Sequence, residues 1–232
     1  MKVFIIYAHQ EPQSFNGSLK EIAVNHFQEL NSGVMVSDLY AMNFNPVASV
    51  NDFQRLTNSN YFKYSQEQKE AAINNSLAFD ILEEQEKLLS CDLLIIQFPL
   101  WWYGFPAILK GWIDRVITKG KLYDDGKIYD KGHFQGKRAF FTLTTGGTPN
   151  PTVGEDDIEK IIGYLSHGIL YFLGFEVLKP FIVFSPARMT VEKRTEKLSE
   201  YKKYLEDLNK PVKLKYAKLD TLGENYCLNC SS

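Results

Sequence analysis

Three short stretches concentrate side chains that could grip a flat, partly polar molecule. The densest, FPLWWYGFPAILKGWIDR (98 to 115), places Phe98, Trp101, Trp102, Tyr103 and Phe105 within eight positions. Aromatic faces give broad apolar contact to a planar ring, and Pro99, Gly104 and Pro106 stiffen the loop or let its backbone come close to a ligand. A second stretch, AHQEPQSFNGSLKE from Ala8, sets Ser14, Asn16, Gly17 and Ser18 around a helix start. Hydroxyls and free backbone N–H groups at such a terminus suit a phosphate, although SLKE is also an ordinary capping pattern. The third, TTGGTPNP (144 to 151), pairs two hydroxyls with two glycines, whose N–H groups can meet the acceptor edge of a heteroaromatic ring. Taken singly, each also reads as a packed loop, a capped helix or a common turn.

The elements that must position these stretches alternate along the chain. KVFIIYA (2 to 8), VMVSDL (34 to 39), DLLIIQF (92 to 98), RAFFTLTT (138 to 145) and VLKPFIVF (177 to 184) are apolar and rich in β-branched or aromatic residues, as strands covered on both faces should be. Between them runs a three-four apolar repeat, clearest at Phe105, Ile108, Leu109, Trp112, Ile113, Val116 and Ile117. A similar repeat joins Ile158, Ile161, Ile162, Leu165, Ile169 and Leu173. Strand and helix alternating in this way predict an α/β sandwich with a parallel sheet, because parallel strands need crossover helices. Ligands of such sheets bind beyond the carboxyl ends of strands, which is where loops 9 to 18, 99 to 105 and 145 to 156 fall. The segment 40 to 66 is polar and aromatic without a clear period and reads as a long surface excursion; the tail from 209 onward reads similarly.

Composition narrows the function classes. The chain has 232 residues, 44% of them hydrophobic, enough for one sizeable core. A net charge of -2 removes the attraction to phosphate polymers on which nucleic-acid binders rely. No apolar run reaches membrane-spanning length and no secretory pattern opens the chain, so neither membrane insertion nor export is expected and the cytoplasm is the expected location. The number and placement of Cys91, Cys227 and Cys230 do not suggest a disulfide framework. The glycine fingerprint of nicotinamide-binding Rossmann domains is missing, which argues against that way of holding a dinucleotide.

Taken together, YAHQEPQSFNGSLK (7 to 20), SDLYAMNFNP (37 to 46), QFPLWWYGFPAILKGWIDRV (97 to 116), YDKG (129 to 132), TTGG (144 to 147) and GILYFLGFEVL (168 to 178) resemble the flavodoxin-like NAD(P)H:quinone oxidoreductases, the DT-diaphorase family, and within it the short, dihydronicotinamide riboside-using type. The resemblance runs in order over about the first 180 residues. It implies a three-layer flavodoxin-like sandwich with a five-stranded parallel sheet in the order 2-1-3-4-5, residues 1 to 208 forming the catalytic domain and 209 to 232 a C-terminal tail. It also implies FAD rather than FMN as cofactor, NADH or NADPH as co-substrate, a quinone-like acceptor, and a homodimer with active sites at the interface.

Carried over by position, the resemblance puts His9, Ser14, Phe15, Asn16 and Ser18 along the FAD pyrophosphate. Pro99, Leu100, Trp101, Trp102 and Tyr103 would line the isoalloxazine, with Thr144, Thr145, Gly146 and Gly147 at its polar edge. Asp114 would reach the cofactor across the dimer, and Arg194 and Leu198 would lie near the adenine. Tyr123, Ile128 and Phe172 would form the substrate pocket, Phe172 coming from the partner chain. Trp102 and Tyr103 are the candidate catalytic residues at the ring, together with Thr152, which occupies the position of a family Tyr. No His follows it in VGEDDIEK, where the family has one, and Trp101 replaces a family Gln. The short members hold a zinc with two His one turn apart and a C-terminal Cys. Here His167 is followed one turn later by Tyr171, and CLNC (227 to 230) lies near the terminus, so no metal is expected. The implied activity is two-electron reduction of quinones, with azo and nitro compounds as neighbouring acceptors, by ping-pong hydride transfer through the flavin. The alternative is a flavin-bound accessory protein, for example of a potassium-efflux system.

Overall fold

The computed structural model describes residues 1–148 and 155–219. Strands β1 (Lys2–Tyr7), β2 (Gly33–Asp38), β3 (Leu93–Leu100) and β4 (Arg138–Thr145) form a parallel sheet in the order β2-β1-β3-β4. The expected fifth strand is divided. β5 (Glu176–Val177) pairs with Arg138 and Ala139, and β6 (Phe181–Phe184) pairs with Thr142 to Thr145, both along the same edge of β4. The break falls at Lys179 and Pro180. Pro180 has no N–H to give to a ladder, and the N–H of Lys179 turns outward to Val212 O at 2.8 Å.

Because successive strand side chains point to opposite faces, each strand feeds two cores. Val3, Ile5, Leu93, Ile95 and Phe140 pack with Leu19 and Phe27 of α1 (Phe15–Glu29) and with Tyr201 and Leu205 of α6 (Val191–Glu206). Phe4, Ile6, Leu94, Ile96 and Phe141 pack on the other face with Leu88 of α3 (Phe79–Ser90), Leu109 and Trp112 of α4 (Ala107–Val116) and Ile162 of α5 (Glu155–Leu165). The result is the flavodoxin-like three-layer sandwich, with helices on both faces of the sheet. α5 runs on as a π-helical stretch, Ser166–Tyr171.

The segment read as a surface excursion is more ordered than its composition suggests. It contains the start of α2 (Tyr64–Asn74), and its Phe53 joins Ala71, Leu77 and Ile81 in a small separate core. Its anchor is Arg115 of α4, whose Nε meets Asp52 Oδ1 at 2.8 Å while Nη1 reaches Asp80 Oδ2 at 2.8 Å and Asn45 O at 2.9 Å. Asp52 also accepts the Tyr64 hydroxyl at 2.6 Å. Burial and that carboxylate push the Tyr64 phenol pKa upward. Glu67, likewise buried, accepts the N–H groups of Thr57 and Asn58 at 2.7 and 3.0 Å. Closeness is enforced at Gly111, where an added Cβ would lie 2.2 Å from Pro46 O. The tail also docks within its described part: Leu178 bridges Lys213, and the Tyr216 ring stacks on Tyr171 at 4.9 Å.

Candidate active site

At the carboxyl end of the sheet a cleft of about 550 Å³ opens between four loops. It is lined by His9, Ser14, Phe15 and Asn16 after β1, by Pro99, Leu100, Trp101 and Trp102 after β3, by Thr144, Thr145 and Gly146 after β4, and by Arg194 of α6. Residues taken from three distant stretches of sequence thus meet in one place. Gln13 and Ser185 to Ala187 also line it and were not among the expected contacts. The signal for the second group was present: SPAR (185 to 188) leaves the carboxyl end of a strand and enters a helix, the position at which such sheets bind ligands.

The first wall is a capped helix start. Ser14 precedes α1 and its Oγ accepts the Gly17 N–H at 3.1 Å. Gly17 is required by tertiary structure, since a Cβ there would sit 1.8 Å from the carbonyl oxygen of Pro12, which folds back over the first turn. Burial lowers the pKa of His9, which favours the neutral ring; its Nδ1 accepts the Glu11 N–H at 3.0 Å, leaving Nε2 as the donor. Asn16 is 2% exposed. Its Nδ2 donates to Thr144 Oγ1 at 2.7 Å and its backbone oxygen accepts from Gln97, which ties the first wall to β4 and β3. Asn16 Oδ1 and Gln97 Oε1 have no partner among the described residues. An unmet buried acceptor costs about 1 to 3 kcal/mol, so polar company for Asn16 in the cleft is worth having.

The aromatic wall is a two-residue hairpin. Trp101 and Gly104 exchange both backbone hydrogen bonds, at 3.1 and 2.9 Å, around Trp102 (φ 52°) and Tyr103 (φ 57°). Two positive φ values define the primed turn that glycine and asparagine favour and bulky residues resist. Trp102 is 100% exposed, and neither its N–H nor that of Tyr103 has an acceptor among the described residues. Strain held at an exposed aromatic pair marks a functional loop. Replacing the pair by Asn and Gly (Trp102→Asn with Tyr103→Gly) should raise unfolding stability by about 1 kcal/mol, because the left-handed cost falls while little buried surface is lost. Urea unfolding of the variant at an unchanged or lower midpoint would show that the hairpin is unstrained.

The remaining expected residues are placed elsewhere. Ser18 turns its hydroxyl to Ser14 O at 3.4 Å, and Gly147 accepts the Thr145 hydroxyl at 2.7 Å beside the cleft. Leu198 packs against the α1–α6 core. Asp114, Tyr123 and Phe172 line a second concavity of about 490 Å³, together with Tyr64, Gln68 and Ile113. Ile128 is 1% exposed and lines neither concavity. Thr152, Cys227 and Cys230 lie outside the described residues. His167 packs among the rings of Tyr129, Tyr171 and Tyr216 in tilted and edge-on contacts, and burial lowers its pKa. No helix among the described residues is long and apolar enough to cross a membrane.

Residues 1–208 match the family described as flavodoxin-like fold. The chain is 45% identical over 211 residues to ribosyldihydronicotinamide dehydrogenase (quinone) of Homo sapiens, spanning 89% of this chain and 91% of that one. It is 39% identical over 229 residues to NAD(P)H dehydrogenase (quinone) 1 of Rattus norvegicus, spanning 97% and 84%. A crystal structure from Klebsiella pneumoniae, described as that of a candidate quinone reductase, superposes with a TM-score of 0.88 at 34% identity and covers 99% of this chain and 92% of its own. With its sheet order, its cleft and these relatives in agreement, the chain belongs to the flavodoxin-like NAD(P)H:quinone oxidoreductase family.

Proposed function

We propose that the protein is a two-electron quinone reductase that holds FAD in the cleft and draws hydride from a reduced nicotinamide. The observation that carries this reading is the convergence of a helix start, a strained aromatic hairpin and a Gly-Gly loop on one cleft. The donor set suits a flavin nucleotide. N–H groups at the start of α1, with the His9 donor, favour a pyrophosphate. The free N–H groups of the hairpin and the Asn16 and Thr144 polar pair suit the hetero-edge of a ring, and the aromatic faces suit its plane. Arg194 and the wall from Ser185 to Ala187 extend the cleft beyond the helix start, which favours FAD over FMN.

A flavin held by these residues would supply the two-electron carrier chemistry between nicotinamide and acceptor. The protein's share is orientation and charge. The hairpin holds reactants parallel and keeps water off the reacting face, a contribution that can reach several kcal/mol of barrier. Backbone N–H groups from Trp102, Tyr103 and the Gly-Gly loop oppose the negative charge that reduction places on the ring. With Thr152 where relatives carry Tyr, that charge rests more heavily on the backbone donors.

Asp114, Tyr123 and Phe172 line a concavity separate from the cleft, so their expected contact with cofactor and substrate requires a second copy of the chain. The reading is therefore a homodimer in which this concavity of one protomer closes the cleft of its partner. Ile128 would support Tyr123 and Phe172 from beneath, and Leu198 would back the adenine wall. Azo and nitro compounds are acceptors open to the same chemistry.

Rapid mixing of the flavin-loaded protein with NADH, NADPH or a smaller dihydronicotinamide tests the proposal. Bleaching of the flavin followed by quinone-driven recovery of its colour is the expected result. Bound flavin that no nicotinamide donor reduces would instead support an accessory role, and protein that takes up no flavin would end both readings.

A further inference from the structure

Ser185 sits where the chain leaves β6 for α6. It is 3% exposed and adopts a left-handed conformation, φ 49° and ψ 48°. Serine tolerates that conformation poorly compared with glycine. What the residue gains is a grip on the loop after β4. Its N–H donates to Thr145 O at 2.9 Å and its Oγ donates to Gly146 O at 3.2 Å. Thr145 Oγ1 in turn donates to Gly147 O at 2.7 Å.

Two hydroxyls thus hold two consecutive carbonyls of a Gly-Gly loop that has no packing to hold it. A Cβ added at Gly146 or Gly147 would meet nothing within 4 Å. Because the peptide is planar and trans, fixing the Gly146 carbonyl toward Ser185 turns the Gly147 N–H to the opposite side. Fixing the Gly147 carbonyl does the same for the N–H of Thr148. Without these two bonds both peptides are free to rotate, since glycine imposes no side-chain restriction.

We propose that Ser185 is a positioning residue: its buried hydroxyl orients the Gly146–Gly147 peptide so that the Gly147 N–H faces the bound flavin, and it thereby sets both flavin affinity and reduction potential. This rests on the flavin reading above. Oriented N–H donors favour the ring more once it carries negative charge, so loosening them lowers the potential as well as the affinity.

The test compares Ser185→Gly and Ser185→Ala with the parent, measuring the FAD dissociation constant by visible titration, the midpoint potential of the bound flavin, and the urea midpoint of the apoprotein. Both variants lose the hydroxyl but differ in backbone preference: glycine relieves the left-handed conformation and alanine does not. The expected result is a similar weakening of FAD binding in both, roughly fivefold, the scale of one hydrogen bond, with a more negative potential in both, while their stabilities diverge. An affinity loss that follows stability, present in Ser185→Ala and missing from Ser185→Gly, would overturn the proposal, as would parent-like potentials. A parent that stays colourless with excess FAD would overturn the flavin reading itself, and that is read from the parent alone.

Discussion

Replacing Arg115 by methionine is expected to lower the unfolding free energy by about 3 to 5 kcal/mol, the cost of leaving one member of a buried ion pair without its partner. Arg115 is 3% exposed and Asp52 1%, so solvent cannot take over the lost contacts. Asp52 would keep the Tyr64 hydroxyl and the Ser49 N–H but lose its only cation among the described residues, while Asn45 O would lose its donor. Asp80, 44% exposed, would regain water at little cost. Since Ala48 and Tyr64 lie on the segment that Arg115 tethers, the second concavity should loosen along with it. Urea unfolding followed by far-ultraviolet circular dichroism measures the loss. Adding Asp52→Asn should recover a good part of it, because the orphaned charge is then removed. A loss under about 1 kcal/mol in the single variant would mean that Asp52 is solvated and that the excursion is not anchored as described.

Gly17→Ala is expected to weaken FAD binding at least about tenfold, even though it lies in a helix. Helix propensity alone favours the change by about 0.8 to 1 kcal/mol. The tertiary contact has the opposite sign and is larger. The new methyl would need to share space with Pro12 O, 1.8 Å away, and the backbone around it cannot give cheaply. Overpacking of this kind costs about 1 to 3 kcal/mol and is relieved by moving the loop that carries Gln13 and Ser14, which is one wall of the cleft. Titrating the apoprotein with FAD, alongside urea unfolding, separates the two terms. A variant that is more stable than the parent and binds FAD as tightly would show that the loop yields without consequence for the site.

Much of the fold was legible because local pattern and global architecture agree. The alternation Val3, Phe4, Ile5, Ile6 is apolar at every position, which only a strand covered on both faces requires, and both faces are indeed covered. The three-four repeat from Phe105 to Ile117 placed α4 to within two residues. The cleft was legible for the same reason: parallel topology puts the loops after β1, β3 and β4 at one end, so motifs on those loops had to meet.

The misses share another cause. Nothing near Asp52 or Tyr64 announces a buried ion pair, since Arg115 lies 63 residues from Asp52 along the chain and segment 40 to 66 has no clear period. The break between β5 and β6 had a local signal in Pro180, but only the pairing of Lys179 with Val212 shows where the freed backbone goes. The place of Ser185 after a strand was legible, but its left-handed backbone was not, being set by contacts to a loop 39 residues away.

The amino-acid sequence by itself determined the layering, the strand order implied by its motifs, and which loops line the cleft, because hydrophobic period and turn chemistry are local properties that act before the chain closes. Tertiary structure alone decided which polar groups are buried together, which acceptors in the cleft are left unmet, and that Asp114, Tyr123 and Phe172 stand apart from the cleft. Those outcomes depend on distances between segments far apart in the chain, and the free energy of a buried polar group is set by the partner that folding brings to it.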